Sequence, residues 1–242
     1  MSGGESGDVF TPARLNIGRA GTRYTTSSML KFRADHARAV DAVMTEVGAD
    51  WPRENGLVEF HSEAATRDEY LHRPERGRRL RRNEIAKLKI LNASTQKKGA
   101  SKPSVLIFVG DGLSSTAVEA NARPLLRALT SALGQKCRLL KPIFIRNARV
   151  RIEDHLGEIL RPDLICMIIG ERPGLATAES LSAYVIYRPR LNSLEPDRTV
   201  ISNIHRGGIP IAEAAKKIAT LVDEAVRHHA TGAKLAAMLS SD

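Results

Sequence analysis

The segment Asp163–Gly174, DLICMIIGERPG, constrains the fold more than any other stretch of the chain. Leu164–Ile169 is an unbroken apolar run, and a strand of that kind is stable only when both faces are covered, as in a parallel sheet flanked by helices. Polar residues then arrive together in Gly170-Glu171-Arg172-Pro173-Gly174. In open α/β sheets ligands bind beyond the carboxyl ends of strands, where this loop falls. Gly170 and Gly174 allow backbone to come close to a ligand, and Pro173 biases Arg172 towards an extended conformation. The loop thus offers a carboxylate and a guanidinium from a stiffened turn. The same composition also describes a plain strand exit with both side chains solvated.

Other segments place this strand in a layered fold. Val105–Val109 reads as a second buried strand, ending in Gly110-Asp111-Gly112-Leu113-Ser114-Ser115. Ala117–Leu133 reads as a helix, capped by Ser115 or Thr116 and followed by Gly134. A strand at Pro142–Arg146, a helix near Glu153–Leu160, an alternating strand at Leu181–Tyr187 and an extended segment at Arg198–Ile204 follow. Ile211–His228 closes the pattern as an amphipathic helix with Ile211, Ala215, Ile218, Leu221, Val222 and Val226 inward. Upstream, a surface turn at Gly18–Arg23 precedes a helix from Thr26, with Met29, Phe32, Val40, Val43, Met44 and Val47 as its buried stripe and Gly48 as its stop. Leu57–Phe60 and Tyr70-Leu71 fit either short strands or irregular packing segments. Pro74–Leu91 reads as a helix burying Leu80, Ile85, Leu88 and Leu91. Asn92–Pro103 is polar and contains Gly and Pro, as a linker would. Together these predict a smaller, mainly helical N-terminal domain over residues 1–100 and a Rossmann-like, doubly wound α/β sheet over 101–242.

The charge is uneven. The chain has 37 basic and 27 acidic residues, a net charge of +10. Residues 67–102 carry twelve Lys/Arg against four Asp/Glu. That stretch has no interleaved aromatics and no nucleic-acid reading motif, so it reads as a solvated or subunit-docking face, with a basic nucleic-acid-binding protein as the alternative. Cys137 and Cys166 have no CxxC partners, which argues for a reducing compartment and against a cysteine metal site. Met1–Asp8 reads as a flexible lead without the apolar core of a signal peptide, and no apolar run reaches membrane-spanning length, so the expected location is cytoplasmic.

No catalytic set assembles: the chain has no P-loop, HExxH or GxSxG. Gly110-Asp111-Gly112 is not GxGxxG, which leaves a stand-alone nucleotide-binding enzyme as a second alternative. Asn203-x-His205-x-x-Gly208 is similar to the DxHxxG motif with which some proteins ligate cobalt in cobalamins, but Asn at the first position argues against a His205–cobalt bond. Ligand-facing loops without a catalytic constellation suggest a subunit that holds a cofactor while chemistry happens elsewhere.

The segments TPARLNIGRAGTRYTT, RPERGRRL, VGDGLSS, RVRIEDHLGEIL, IGERPGL, ESLSAYVIY and DRTVISNIHRGG, in that order across nearly the whole chain, resemble the light (small) subunit of ethanolamine ammonia-lyase. The resemblance implies an adenosylcobalamin-dependent enzyme that converts ethanolamine to acetaldehyde and ammonia by radical chemistry. It implies a heavy subunit built as a TIM barrel that holds substrate, and a cobalamin lying between it and this Rossmann-like chain. It also implies a hetero-oligomer, in the cytoplasm and often associated with bacterial microcompartments. Family cobalamin contacts fall at Val150 of RVRIED, Glu171 of GERPG and Val200 of DRTVISNIH. At the last, a cysteine can stand in the family, and valine keeps the apolar contact without the thiol's weak polarity. The resemblance assigns this chain no catalytic residue, no metal ligand and no nucleic-acid or membrane partner.

Overall fold

The computed structural model describes residues 17–93 and 102–240. The expected lead at Met1–Asp8 and the middle of the polar stretch Asn92–Pro103 lie outside the described residues. A hairpin of β1 (Arg19–Ala20) and β2 (Arg23–Tyr24) turns at Gly21, and helix α1 (Thr26–Met44) follows with the Thr25 hydroxyl accepting the Ser28 N–H. Helix α2 (Trp51–Glu54), strand β3 (Val58–His61), helix α3 (Arg67–His72), a 3₁₀ turn at Arg76–Arg78 and helix α4 (Arg82–Ala93) come next. Strand β4 (Ser104–Gly110) leads into a helical stretch of α5 (Ser115–Ala117), a π segment (Val118–Ala122) and α6 (Arg123–Leu133). Then come β5 (Arg138–Leu139), β6 (Ile143–Arg146), α7 (Ile152–Leu160) and β7 (Leu164–Gly170). Strands β8 (Leu181–Tyr187) and β9 (Arg198–Ile204) and helices α8 (Ile211–His228) and α9 (Gly232–Leu239) complete the described chain.

The main sheet runs β3-β6-β4-β7-β8-β9, with β5 paired to the start of β4. β3, β6, β4 and β7 are parallel, whereas β8 is antiparallel to β7 and β9 to β8. The protein is α/β, as the alternation predicts, but the sheet is mixed. After β7 the chain turns back twice without a crossover helix, and only antiparallel pairing permits that. Residues 58–61 join this sheet through β3, in register from Val58↔Ile143 to His61↔Arg146.

Period-two alternation sorts the strand side chains into two cores. Val105, Ile107 and Val109 of β4 pack on one face with Leu125, Leu129, Ile218 and Val222 from α6 and α8. Leu106 and Phe108 pack on the other with Leu88 of α4 and Ile152, Leu156 and Leu160 of α7. Every residue of β7 is buried, which is why its sequence is apolar throughout.

Three expectations fail at the level of elements. Tyr70-Leu71 lies in helix α3, started by the Thr66 hydroxyl accepting the Glu69 N–H. The helix expected from Pro74 begins only at Arg82. Before it, Leu80 bridges Ser62 in extended form and gives its N–H to His155 Nδ1 at 2.9 Å, and those bonds exclude helix there. Most of the stripe assigned to the interior of α1 faces outward: Phe32 is 48% and Met44 56% exposed, with Met29 and Val40 also exposed, whereas Val43 is half-buried and Val47, past the helix end, is buried as expected. The side of α1 that packs inward carries Asp35 and Ala42 instead.

A buried ion cluster fastens α7 to β9. Arg198 Nε donates to Glu153 Oε2 at 3.1 Å, and its Nη2 donates to Asp154. Burial pushes both carboxyls up in pKa and outweighs the pull of Arg198. Arg198→Met should therefore cost about 3–5 kcal/mol of folding free energy by stranding buried carboxylates, whereas Glu153→Gln should stay within about 1.5 kcal/mol of wild type. Denaturant unfolding of the two variants measures the difference.

Candidate functional site

Three loops meet at the carboxyl ends of β4, β6 and β7, and one buried carboxylate ties two of them. Asp111, fully buried after β4, accepts N–H bonds from Gly112 at 2.9 Å, Asn147 at 2.7 Å and Ala148 at 3.1 Å. Burial pushes its pKa up, while these bonds and Arg67, with Nη1 3.9 Å away, pull it down. Its bonds fix the turn that leads into Val150.

The third loop is joined glycine to glycine. A Cβ on Gly112, at φ 62°, would sit 2.2 Å from the Gly170 carbonyl oxygen, and one on Gly170 would sit 2.2 Å from that of Ser114. Leu113 donates its N–H to Gly170 O at 3.0 Å. Gly170 therefore serves close packing of two loops, besides lining the groove described next. The Gly112 and Leu113 N–H groups are likewise spent inside the protein. The cap of the following helix is Ser114, whose hydroxyl accepts the Ala117 N–H at 3.1 Å, in place of the Ser115 or Thr116 expected.

Beside these loops the sheet is bare. Helix α7 covers β4 and β7 on its face but leaves the neighbouring part of β8 and β9 open, so Tyr184 is only half-buried and Val200, in mid-strand, is 46% exposed. The result is an open groove of about 500 Å³, lined by Tyr70, Arg149, Val150, Glu171, Ser182, Tyr184, Val200 and their neighbours. It brings together Val150, Glu171 and Val200, three residues from three separate elements of the chain. Val150 enters from the turn before α7, Glu171 from the end of β7 and Val200 from β9. Sequence reasoning missed Tyr70, Arg149 and Tyr184. Tyr70 lay in a segment whose structure the pattern left open, and nothing in its spacing linked it to residue 149 or 184.

Glu171 is held in place. Its Oε1 accepts the Ser182 hydroxyl at 2.5 Å and the Asn203 N–H at 2.9 Å, joining the ends of β7, β8 and β9. Among the described residues no hydrogen bond reaches Oε2. Arg172 is exposed and does not pair with it. His205 has both ring nitrogens engaged: Nε2 lies 2.8 Å from Asn203 Oδ1, and Nδ1 accepts the Gly207 N–H at 3.1 Å. Among the described residues, no three His, Cys, Asp or Glu side chains converge as metal ligands, and no helix is long and apolar enough to cross a membrane. Cys137 and Cys166 are buried free thiols, and burial pushes both up in pKa.

Fold and groove define an α/β chain with an open groove beside the carboxyl ends of its parallel strands. The chain matches the family Ethanolamine ammonia-lyase light chain (EutC) over residues 6–236. It is 45% identical over 226 residues to the ethanolamine ammonia-lyase small subunit of Clostridioides difficile, covering 93% of this chain and 75% of that protein. The ethanolamine ammonia-lyase small subunit of Fusobacterium nucleatum is also 45% identical, over 93% of this chain and 74% of its own length. That of Listeria monocytogenes serotype 4a is 42% identical over 227 residues, 93% of this chain and 75% of its own. The chain belongs to the ethanolamine ammonia-lyase light chain family.

The loop packing yields a direct test. Gly112→Ala should lose at least about 2 kcal/mol of stability, from left-handed backbone strain together with the clash against Gly170. Thermal unfolding reads the loss.

Proposed function

We propose that this chain is the small subunit of an adenosylcobalamin-dependent ethanolamine ammonia-lyase, and that its groove forms one wall of the cobalamin site against the large subunit. The observation that carries the reading is the convergence of Val150, Glu171 and Val200 on one groove. The groove fits such a group chemically. Val150 and Val200 offer apolar contact, and Glu171 keeps one carboxylate oxygen for the amide N–H groups that rim a corrin. Both ring nitrogens of His205 are engaged within the chain, so His205 would not be among the residues that hold the cofactor's metal. When bound, the cofactor supplies the radical that starts the conversion of ethanolamine to acetaldehyde and ammonia. This chain's part is to hold and orient it; substrate binding belongs to a TIM-barrel large subunit.

Helix α1 supports the subunit arrangement. Its exposed Met29, Phe32, Val40 and Met44 form one apolar stripe. Arg67 ties the C-terminal end of α1 to the groove's loops, donating to Val43 O at 2.7 Å and to Gly112 O at 2.8 Å. A large subunit that closes the groove also covers this stripe. The parallel strands β3-β6-β4-β7 are the Rossmann-like part of the reading, in an assembly found in the cytoplasm and, in some hosts, a microcompartment.

The purified chain with adenosylcobalamin should release no acetaldehyde and should gain activity on mixing with the large subunit; release by the chain alone would refute the division of labour. Glu171 gives a finer test. In the reconstituted complex Glu171→Gln keeps an oxygen for Ser182 and Asn203, so the melting temperature should hold, while cobalamin affinity falls about tenfold for loss of a charge-assisted bond. Glu171→Ala should lower both. Unchanged affinity in both variants would remove Glu171 from the cofactor site.

A further inference from the structure

Two arginines line the groove without an ion pair to any described residue, Arg172, which is exposed, and Arg149, which is half-buried. Three arginines stand close together in sequence after Phe144, and two of them are paired: Arg146 with Glu59 at 2.5 Å, and Arg151 with Asp154 at 3.1 Å. Arg149, between them, forms no ion pair with any described residue. It is nevertheless firmly placed. Its N–H donates to Gly77 O at 2.8 Å, and a Cβ on Gly77 would come within 2.5 Å of its Cγ, so only glycine fits beneath it. Its Nη2 donates to Tyr70 O at 2.7 Å, and its guanidinium lies 4.2 Å from the centre of the Tyr70 ring. Its Nε is buried without a partner.

Among the described residues, none forms an ion pair with Arg149. The Tyr70 hydroxyl is pushed up to about 12, first by burial and then by Asp111, so the ring stays neutral at physiological pH. Arg67 also lies close to the same ring, 4.7 Å from its centre, and adds a second cation. Asp111 is engaged with Arg67 and three backbone N–H groups. Glu171 is the one carboxylate in the groove wall, and its hydrogen bonds go to β8 and β9. A partly buried guanidinium held rigid, with donor capacity left over and no carboxylate, is costly to maintain unless an anion completes it. Its planar fork matches an oxyanion with two oxygens to offer.

We propose that Arg149 is an anion-binding residue of the groove and pairs with a phosphodiester, which on the cobalamin reading above is that of the cofactor's nucleotide tail. Tyr70 and Gly77 act as positioning residues that aim it. The proposal rests on the cobalamin reading, and the test separates the two.

The test uses the reconstituted heteromeric complex and compares equilibrium binding of cyanocobalamin with that of dicyanocobinamide, a corrinoid lacking the nucleotide and its phosphodiester. Arg149→Met should weaken cyanocobalamin at least tenfold and change cobinamide affinity less than twofold. Arg149→Gln keeps a donor for the Tyr70 carbonyl and so guards against a folding defect; it should show the same selective loss. Arg149→Lys, which keeps the charge, should fall between wild type and Gln. Equal losses for both corrinoids, or no loss for either, would overturn the proposal. Intact affinities with a weakened subunit assembly would also overturn it, by assigning Arg149 to a carboxylate of the large subunit. If the wild-type complex binds neither corrinoid, the cobalamin reading itself fails.

Discussion

The buried carboxylate of Asp111 is the interaction on which the working end of the molecule depends. A charge with no exposure is tolerable only when its lone pairs are filled, and Asp111 fills them with backbone N–H groups from its own loop and from the loop after β6. Those bonds set the Asn147–Ala148 turn, and Asn147 accordingly adopts a positive φ of 55°. Val150 and Arg149 enter the groove from that turn. Gly112, one residue on, abuts Gly170, so the same loop also sets where Glu171 leaves β7. Three strand ends are thus positioned relative to one another by main-chain contacts, and the groove inherits their rigidity.

Buried charge recurs with a different balance on each side of the groove. On the α7 side, Arg198 faces two carboxyls that burial has raised, a cluster rich in acid. On the α3 side, Arg67 and Arg149 both lie against Tyr70 with Asp111 alone among the described carboxylates engaged there, a cluster rich in base. Neither balance is optimal for stability alone, because an apolar replacement of similar volume often serves as well. The first is explained by anchorage, since it joins the helix that follows Val150 to the strand that carries Val200. The second leaves Arg149, a lining residue of the groove, without an ion pair among the described residues.

What could be read from the sequence followed from local rules, and what could not depended on distant contacts. The run 164–170 is legible because burial on both faces forces continuous apolarity, and α8 because one covered face forces a helical stripe. The mixed sheet was hidden, since β8 and β9 read as strands without stating their direction. In α1 the apolar periodicity is real, but periodicity names a face without saying what covers it. The packing role of Gly170 was hidden because its neighbour in space, Ser114, is 56 positions away in sequence. The groove is the extreme case: its walls come from residues 70, 149–150, 171, 184 and 200. Only resemblance to a family could name three of them together, and it left out Tyr70 and Arg149, where the electrostatics are least balanced.

The groove's openness follows from the same topology. A sheet that continued in parallel beyond β7 would need crossover helices, and a helix on the α7 side would lie over β8 and β9. Antiparallel return avoids that helix and leaves Tyr184, Val200 and Ser202 uncovered on the edge of the fold. The switch from parallel to antiparallel pairing is therefore what leaves the groove open against the sheet. It also means that this chain alone does not enclose the groove. On the cobalamin reading proposed above, radical chemistry would require that water and stray hydrogen donors be kept out, and a groove open along one side does not keep them out. On the reading proposed here, the missing wall is supplied by the subunit that also covers the apolar stripe of α1, so closure of the site and assembly of the enzyme are the same event.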